Sequence, residues 1–134
     1  MRTALFSLQK ALYQRLKEDV ELQLRVKGVY DYVPENALFP YVRLGEDTVI
    51  PDETKTFYGE EITHTLHIWS QYKGKKEVKE IMDIVLQSLQ DPLSLEGGFS
   101  VSFTRPDYMD VIDEASGTIQ HGVIRMRFKI KEGL

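Results

Sequence analysis

The sequence predicts an α+β fold, a mostly antiparallel sheet with two amphipathic helices packed on one face and a long-tipped β-hairpin. Three observations carry that reading. Leu5, Leu8, Leu12 and Leu16 recur at three- and four-residue steps, the spacing of a helix with one buried stripe. Val78, Ile81, Met82, Val85 and Leu89 make a second such stripe. Residues 119–131 alternate instead, with Ile124, Met126, Phe128 and Ile130 on one parity and Arg125, Arg127, Lys129 and Lys131 on the other, the period of a half-buried strand.

The first helix runs from Thr3 to about Glu18, with Gln9, Lys10, Gln14, Arg15 and Lys17 between its leucines. Asp19 to Lys27 adds a short turn or helix before Gly28 stops it, and "VYDYV" is a short strand ended by Pro34. "FPYVRLGEDTVI" is a longer strand with Val42, Leu44, Thr48 and Ile50 on one parity and Gly45 as the place for a bulge. The polar stretch "PDETKTFYGE" then leads into a strand from Glu61 to Gln71. A hairpin loop of about ten residues exceeds the usual two to five, which asks for a function.

Gly74 precedes the second helix, which Asp91-Pro92 closes. "FSVSF" is a strand with Phe99, Val101 and Phe103 on one face, and "DYMDVI" is its candidate continuation past a break at Pro106. Glu114 to Gly117 has turn composition and leads into the alternating last strand. Arg125, Arg127 and Lys129 then form a polar face on the side of the sheet away from the helices.

With 134 residues, 42% of them hydrophobic and 28% charged, the chain has ordinary globular composition and reads as one domain over residues 1–134. It has no cysteine, which excludes a thiol nucleophile, a thiolate metal site and a disulfide framework. Charges at Arg2, Lys10, Arg15 and Lys17 interrupt any signal-peptide core, and no apolar run approaches the length of a membrane span. The expectation is a soluble intracellular protein without membrane contact. A net charge of −4 argues against a dedicated nucleic-acid binder, because that affinity rests on neutralising phosphates.

"THTLHIWS", from Thr63 to Ser70, places two histidines three residues apart beside the only tryptophan. On a helix they would share a face and clasp a metal. The β-branched and aromatic neighbours favour a strand, where His64 joins Ile62, Leu66 and Ile68 while His67 joins Thr63, Thr65 and Trp69 on the other side. One histidine is then expected to be partly buried and hydrogen-bonded, the other an ordinary sheet-surface residue. "PDETK" contains the letters of a metal-dependent nuclease, yet that chemistry needs carboxylates converging from neighbouring strands. Asp52 and Glu53 are adjacent in a presumed loop. Asp107, Asp110, Asp113 and Glu114 lack the spacing and glycine of a calcium loop. No motif of covalent catalysis, phosphate binding or zinc proteolysis occurs. The expectation is no enzyme, no metal and no cofactor. The hairpin-loop residues Asp52, Glu53, Lys55, Phe57 and Tyr58 become candidate partner contacts, since aromatics on a long loop suggest recognition rather than chemistry.

An ordered series of short pieces is informative beyond these features. Leu12-Tyr13 and Leu16, Val29-Tyr30-Asp31, "FPYVRLGED", "LHIWS", Gly74 with its helix, Pro92-Leu93-Ser94-Leu95 and "HGVIRMRFKI" follow one another from residue 12 to 131. In this the chain resembles the small tail-completion proteins of long-tailed bacteriophages, the tail-terminator or tail-to-head joining group. The resemblance implies a structural virion protein assembled in the host cytoplasm: a hexameric ring that caps the tail tube and ends its polymerisation. Its implied partners are the tail tube protein, the head-completion protein of the connector and further copies of itself, with DNA only as cargo through the ring. A small metal-dependent nuclease or DNA-binding assembly factor is the alternative from another class.

Overall fold

The structure is a computed structural model and describes residues 1–54 and 56–133. Helix α1 (Leu5–Glu18) buries Leu8, Ala11, Leu12 and Leu16 and leaves Phe6 in solvent, which is the predicted stripe. A single turn, α2 (Val20–Gln23), follows after Asp19 caps it, the carboxylate accepting from Leu22 N at 2.9 Å. Strand β1 (Val29–Tyr30) is only two residues long. Strands β2 (Tyr41–Pro51) and β3 (Gly59–Ser70) form the hairpin. Helix α3 (Lys76–Ser88) buries Val78, Ile81, Met82, Ile84 and Val85. Strands β4 (Phe99–Glu114) and β5 (Ile119–Glu132) make the second hairpin, joined by a tight turn in which Ala115, Ser116 and Gly117 all have positive φ.

The sheet order is β1-β2-β3-β5-β4. Among the described residues only the β1–β2 pair is parallel, so the sheet is mixed and mostly antiparallel. The helices cover one face, and the buried apolar side chains form one cluster between the two layers, with Phe128, Ile124, Ile62, Leu66 and Ile68 below and the helix stripes above. Close approach at the centre depends on Gly122, where an added Cβ would stand 2.8 Å from Met82 Sδ and 2.9 Å from Val78 Cγ2. Arg15 ties the helices together at their ends by donating to the carbonyls of Ser88 and Asp91 at 2.7 and 2.9 Å, so the open end of α3 has a partner for its last acceptors. Among the described residues no helix is long and apolar enough to cross a membrane.

Four expectations change. Thr48 and Ile50 do not share a face with Val42 and Leu44: the register shifts between Leu44 and Asp47. The extra residue at that bulge reverses every later side chain. Asp47 and Val49 therefore face the helices, opposite His64 and Ile62, and Ile50 is left exposed. Phe103 leaves the face of Phe99 and Val101 for the same reason, a shift between Val101 and Phe103. β4 also runs straight through Pro106, with a second shift between Pro106 and Tyr108 in place of a break. The hairpin connection is shorter than expected, residues 52–58, because both strands extend towards the tip and Asp52 N donates to Gly59 O at 2.8 Å.

The start of α1 is anchored by Glu60, a carboxylate that is only 3% exposed. It accepts from Ala4 N at 2.9 Å, from Thr3 Oγ1 at 3.1 Å and from the Tyr58 hydroxyl at 2.9 Å. Burial, and then the bond to Glu60, hold the Tyr58 hydroxyl above its ordinary pKa. Replacing Glu60 by Ala strands a buried backbone donor, and we expect a loss of about 2 to 3 kcal/mol in urea unfolding. Glu60→Gln keeps an acceptor and should lose less than half as much.

Candidate functional site

The face of the sheet away from the helices is open, and its two ends differ chemically. Towards the tip of the β2–β3 hairpin it is cationic. Arg125, Arg127, Lys129 and Lys131 project from alternate positions of β5, as the sequence pattern requires. The β4 bulges bring aromatic rings beside them: the Arg125 guanidinium lies 5.2 Å from the Tyr108 ring centre and that of Arg127 5.6 Å from Phe103, with Lys129 Nζ 5.9 Å from Phe103. Arg127 also meets Glu61 at 3.4 Å. The stripe is thus a cation–aromatic lattice in which each charge keeps a water-facing side.

The loop residues take different places. Asp52 and Glu53 are exposed. Phe57 is half-buried under Lys131, whose Nζ is 5.0 Å from the ring centre, and Tyr58 folds back on Glu60. The aromatics on this loop therefore serve the fold's own packing more than sequence reasoning expects. Lys55 lies outside the described residues. Asp52 and Glu53 stand on a connection rather than on converging strands, and among the described residues no group of three or more histidines and carboxylates is arranged to hold a metal ion.

At the other end of the open face the histidines are organised in a way the sequence did not announce. Strand parity does separate His64 from His67. His64 is fully buried on the helix side, with Nδ1 2.6 Å from Asp47 Oδ1. His67, however, is not an ordinary surface residue: it is 9% exposed and bonded on both nitrogens. Its Nε2 lies 2.8 Å from Glu46 Oε1, and its Nδ1 lies 2.7 Å from Nε2 of His121. The bond from His67 is the main reason that the Glu46 carboxyl sits below its usual range. Register places Trp69 opposite His121, and the indole stacks on that imidazole at 3.8 Å with the planes 9° apart. His121 was not singled out by any local pattern; only the pairing of β3 with β5 reveals it.

The edges of the sheet are also unequal. β4 is a full-length edge strand whose Met109 and Ile112 remain 47% and 38% exposed. The opposite edge is the two-residue β1, flanked by exposed Tyr32 and Leu38 and by a cleft of about 400 Å³ lined by Phe6, Tyr13, Tyr30 and Tyr32. Long bare edges are templates for contacts with another chain.

The chain is 33% identical over 125 residues to the tail completion protein gp17 of Bacillus phage SPP1, covering 92% of each chain. The solved structure of that SPP1 protein superposes with a TM-score of 0.67 at 31% identity, over 95% of this chain and 91% of the other. A chain in the virion of a native gene transfer agent particle shares the fold at a TM-score of 0.89 and 23% identity, over 98% and 99% of the two chains. Residues 10–131 match the family described as Tail completion protein gp17. The chain belongs to that family of phage tail completion proteins, which are structural proteins of the virion and not enzymes.

Proposed function

We propose that the protein forms a homo-oligomeric ring, a hexamer, on the end of the tail tube, where it stops tube polymerisation and offers its other surface to the head-completion proteins. Genomic DNA passes through the ring as cargo. Membership of the tail completion family across residues 10–131 carries this reading. The fold supports it physically. A long edge strand on one side and a two-residue edge beside exposed apolar residues on the other are different surfaces. Contacts between unlike surfaces are heterologous, and they close into a ring when the rotation permits. Asp52, Glu53, Phe57 and Tyr58 at the hairpin tip, and Arg125, Arg127 and Lys129 on the open face, are the candidate contacts with tube or head.

Electron microscopy of the protein mixed with cognate tail tubes tests the proposal. The expected result is a ring at the tube end and tubes that no longer lengthen; bare tube ends that keep growing would sink it. The oligomeric state of the free protein does not decide the question, because the tube can act as the template for the ring. The edge contact has its own variant. Met109→Lys places a charge on the half-exposed edge of β4, which should leave stability within about 0.5 kcal/mol, as for most surface changes, and abolish capping by blocking edge contact. Capping at the wild-type level would show that β4 is not the contacting edge.

A further inference from the structure

The geometry points to the open face of the sheet as a docking surface for an extended acidic segment of a partner protein, laid along β5 with carboxylates at alternate residues over Arg125, Arg127, Lys129 and Lys131. This names the chemistry of the partner at a surface already proposed as a contact, and it rests on that reading only for which virion protein carries the segment.

The cations are held in place without being neutralised. Among the described residues Arg125, Lys129 and Lys131 form no ion pair, and Arg127 reaches Glu61 only at 3.4 Å, with its Nε buried and unpartnered. Each head group rests instead on an aromatic ring: Arg125 on Tyr108, Arg127 and Lys129 on Phe103, Lys131 on Phe57. A ring face attracts a cation through its quadrupole yet carries no countercharge. An incoming carboxylate therefore breaks no ion pair but the long one to Glu61, and it meets side chains whose freedom is already reduced, which lowers the entropy cost of docking.

The edge strand is shaped to present these heads. The two register shifts in β4 set Phe103 opposite Lys129 and Tyr108 opposite Arg125. Without the first of them Phe103 would share the face of Val101, away from the stripe. Bulges at a sheet edge re-aim side chains in this way beside functional surfaces. Register also sets Arg105, an exposed residue, opposite Arg127. Like charges on directly opposed residues repel, and a carboxylate docked between them offsets that cost.

Spacing selects the partner. Alternate residues of a strand stand about 6.7 Å apart, so the cations of β5 span about 20 Å in a line. An extended peptide repeats its own side chains on one side at the same interval. Glutamates or aspartates at every second residue then meet the cations one to one, and each guanidinium can take a carboxylate through paired hydrogen bonds. Nucleic acid fits less well. At the Arg125 end the stripe runs into a depression of about 350 Å³ that Glu46 and Asp107 line together with Thr48, Thr63 and Thr65. A uniformly charged phosphate chain continuing past Arg125 meets those carboxylates, whereas a peptide can place a neutral or basic residue there. The net charge of −4 also repels a long polyanion.

NMR titration of the nitrogen-15-labelled full chain tests this. The probe is a short synthetic peptide alternating glutamate and threonine, and the control has the same composition with its glutamates consecutive. The alternating peptide should shift the amides of residues 125–131 on β5 and of Phe103 and Tyr108 on β4, and bind more tightly than the control. Its affinity should fall about tenfold as salt rises from about 0.05 M to about 0.5 M. Arg125→Glu combined with Lys129→Glu, both at exposed positions, should lose more than about tenfold in affinity. Absence of shifts at millimolar peptide would overturn the proposal, and so would equal binding of the control. Tighter binding of a DNA duplex to the same amides at the same salt would overturn it in favour of nucleic acid. The wild-type titration needs no variant and no tail tube, so its failure is separate from a failure to cap tubes.

Discussion

Phe128→Ala is expected to lose about 3 to 5 kcal/mol, the range of a large core aromatic truncated without collapse of its surroundings. Phe128 has no exposed surface and stands on β5, which is paired on both sides. Its register neighbours are Ile62 on β3 and Thr104 on β4, and Met126 and Ile130 flank it on the same face. The cavity would therefore be walled by two strand partners held in a backbone ladder, which relax less readily than a loop. Domains of this size hold only about 5 to 15 kcal/mol in all, so the variant should melt about 10 to 20 °C lower. Urea unfolding should show a lower midpoint with an unchanged slope, because the surface exposed on unfolding hardly alters. Phe128→Leu, which keeps most of the volume, should cost less than about 1.5 kcal/mol. A loss below about 1 kcal/mol for the alanine variant would mean that the two layers close over the site.

The parts of this fold that were legible in the sequence are those governed by one uninterrupted period. Leu8, Leu12 and Leu16, and the stripe from Val78 to Leu89, are buried as their spacing requires, because a helix repeats its faces from local geometry alone. Ile124 to Ile130 on β5 behave likewise, since that strand sits between two partners in continuous register with β3. Faces were misread where a strand gains a residue. Ile50 and Phe103 each lie beyond a bulge, and an extra residue changes the parity of everything after it while leaving the composition untouched. The histidine pair was illegible for a different reason. His67 and His121 are 54 residues apart, and what joins them is the pairing of β3 with β5, on which the local sequence of either strand is silent. The assembly surfaces are harder still: Met109 and Ile112 resemble core residues in sequence and are half-exposed only because β4 ends the sheet.

Gly45→Ala is expected to cost about 2 to 3 kcal/mol, although it adds a single methyl to a strand, because the space is occupied by backbone as well as by a side chain. An added Cβ would meet the carbonyl oxygen of Thr65 at 2.7 Å and the His67 ring at 2.6 Å. The carbonyl belongs to β3 and can retreat only if the strands move apart. The ring can retreat only by leaving Glu46 Oε1, which lies 2.8 Å from its Nε2. The glycine thus permits a bulge that turns Asp47 inward to meet His64 while sending the Glu46 carboxylate to His67. A double-mutant cycle separates the two costs. If the His67 ring carries part of the strain, Gly45→Ala should hurt less in a His67→Gln background, with a coupling of about 0.5 to 1.5 kcal/mol. The remainder, from the Thr65 carbonyl, should persist. Additive losses would place the whole cost on the backbone, and the bulge would then be fixed by strand spacing rather than by the imidazole it accommodates. A measurable coupling would mean that one glycine sets both the register of β2 and the position of the histidine pair, so that no side chain at residue 45 preserves the two together.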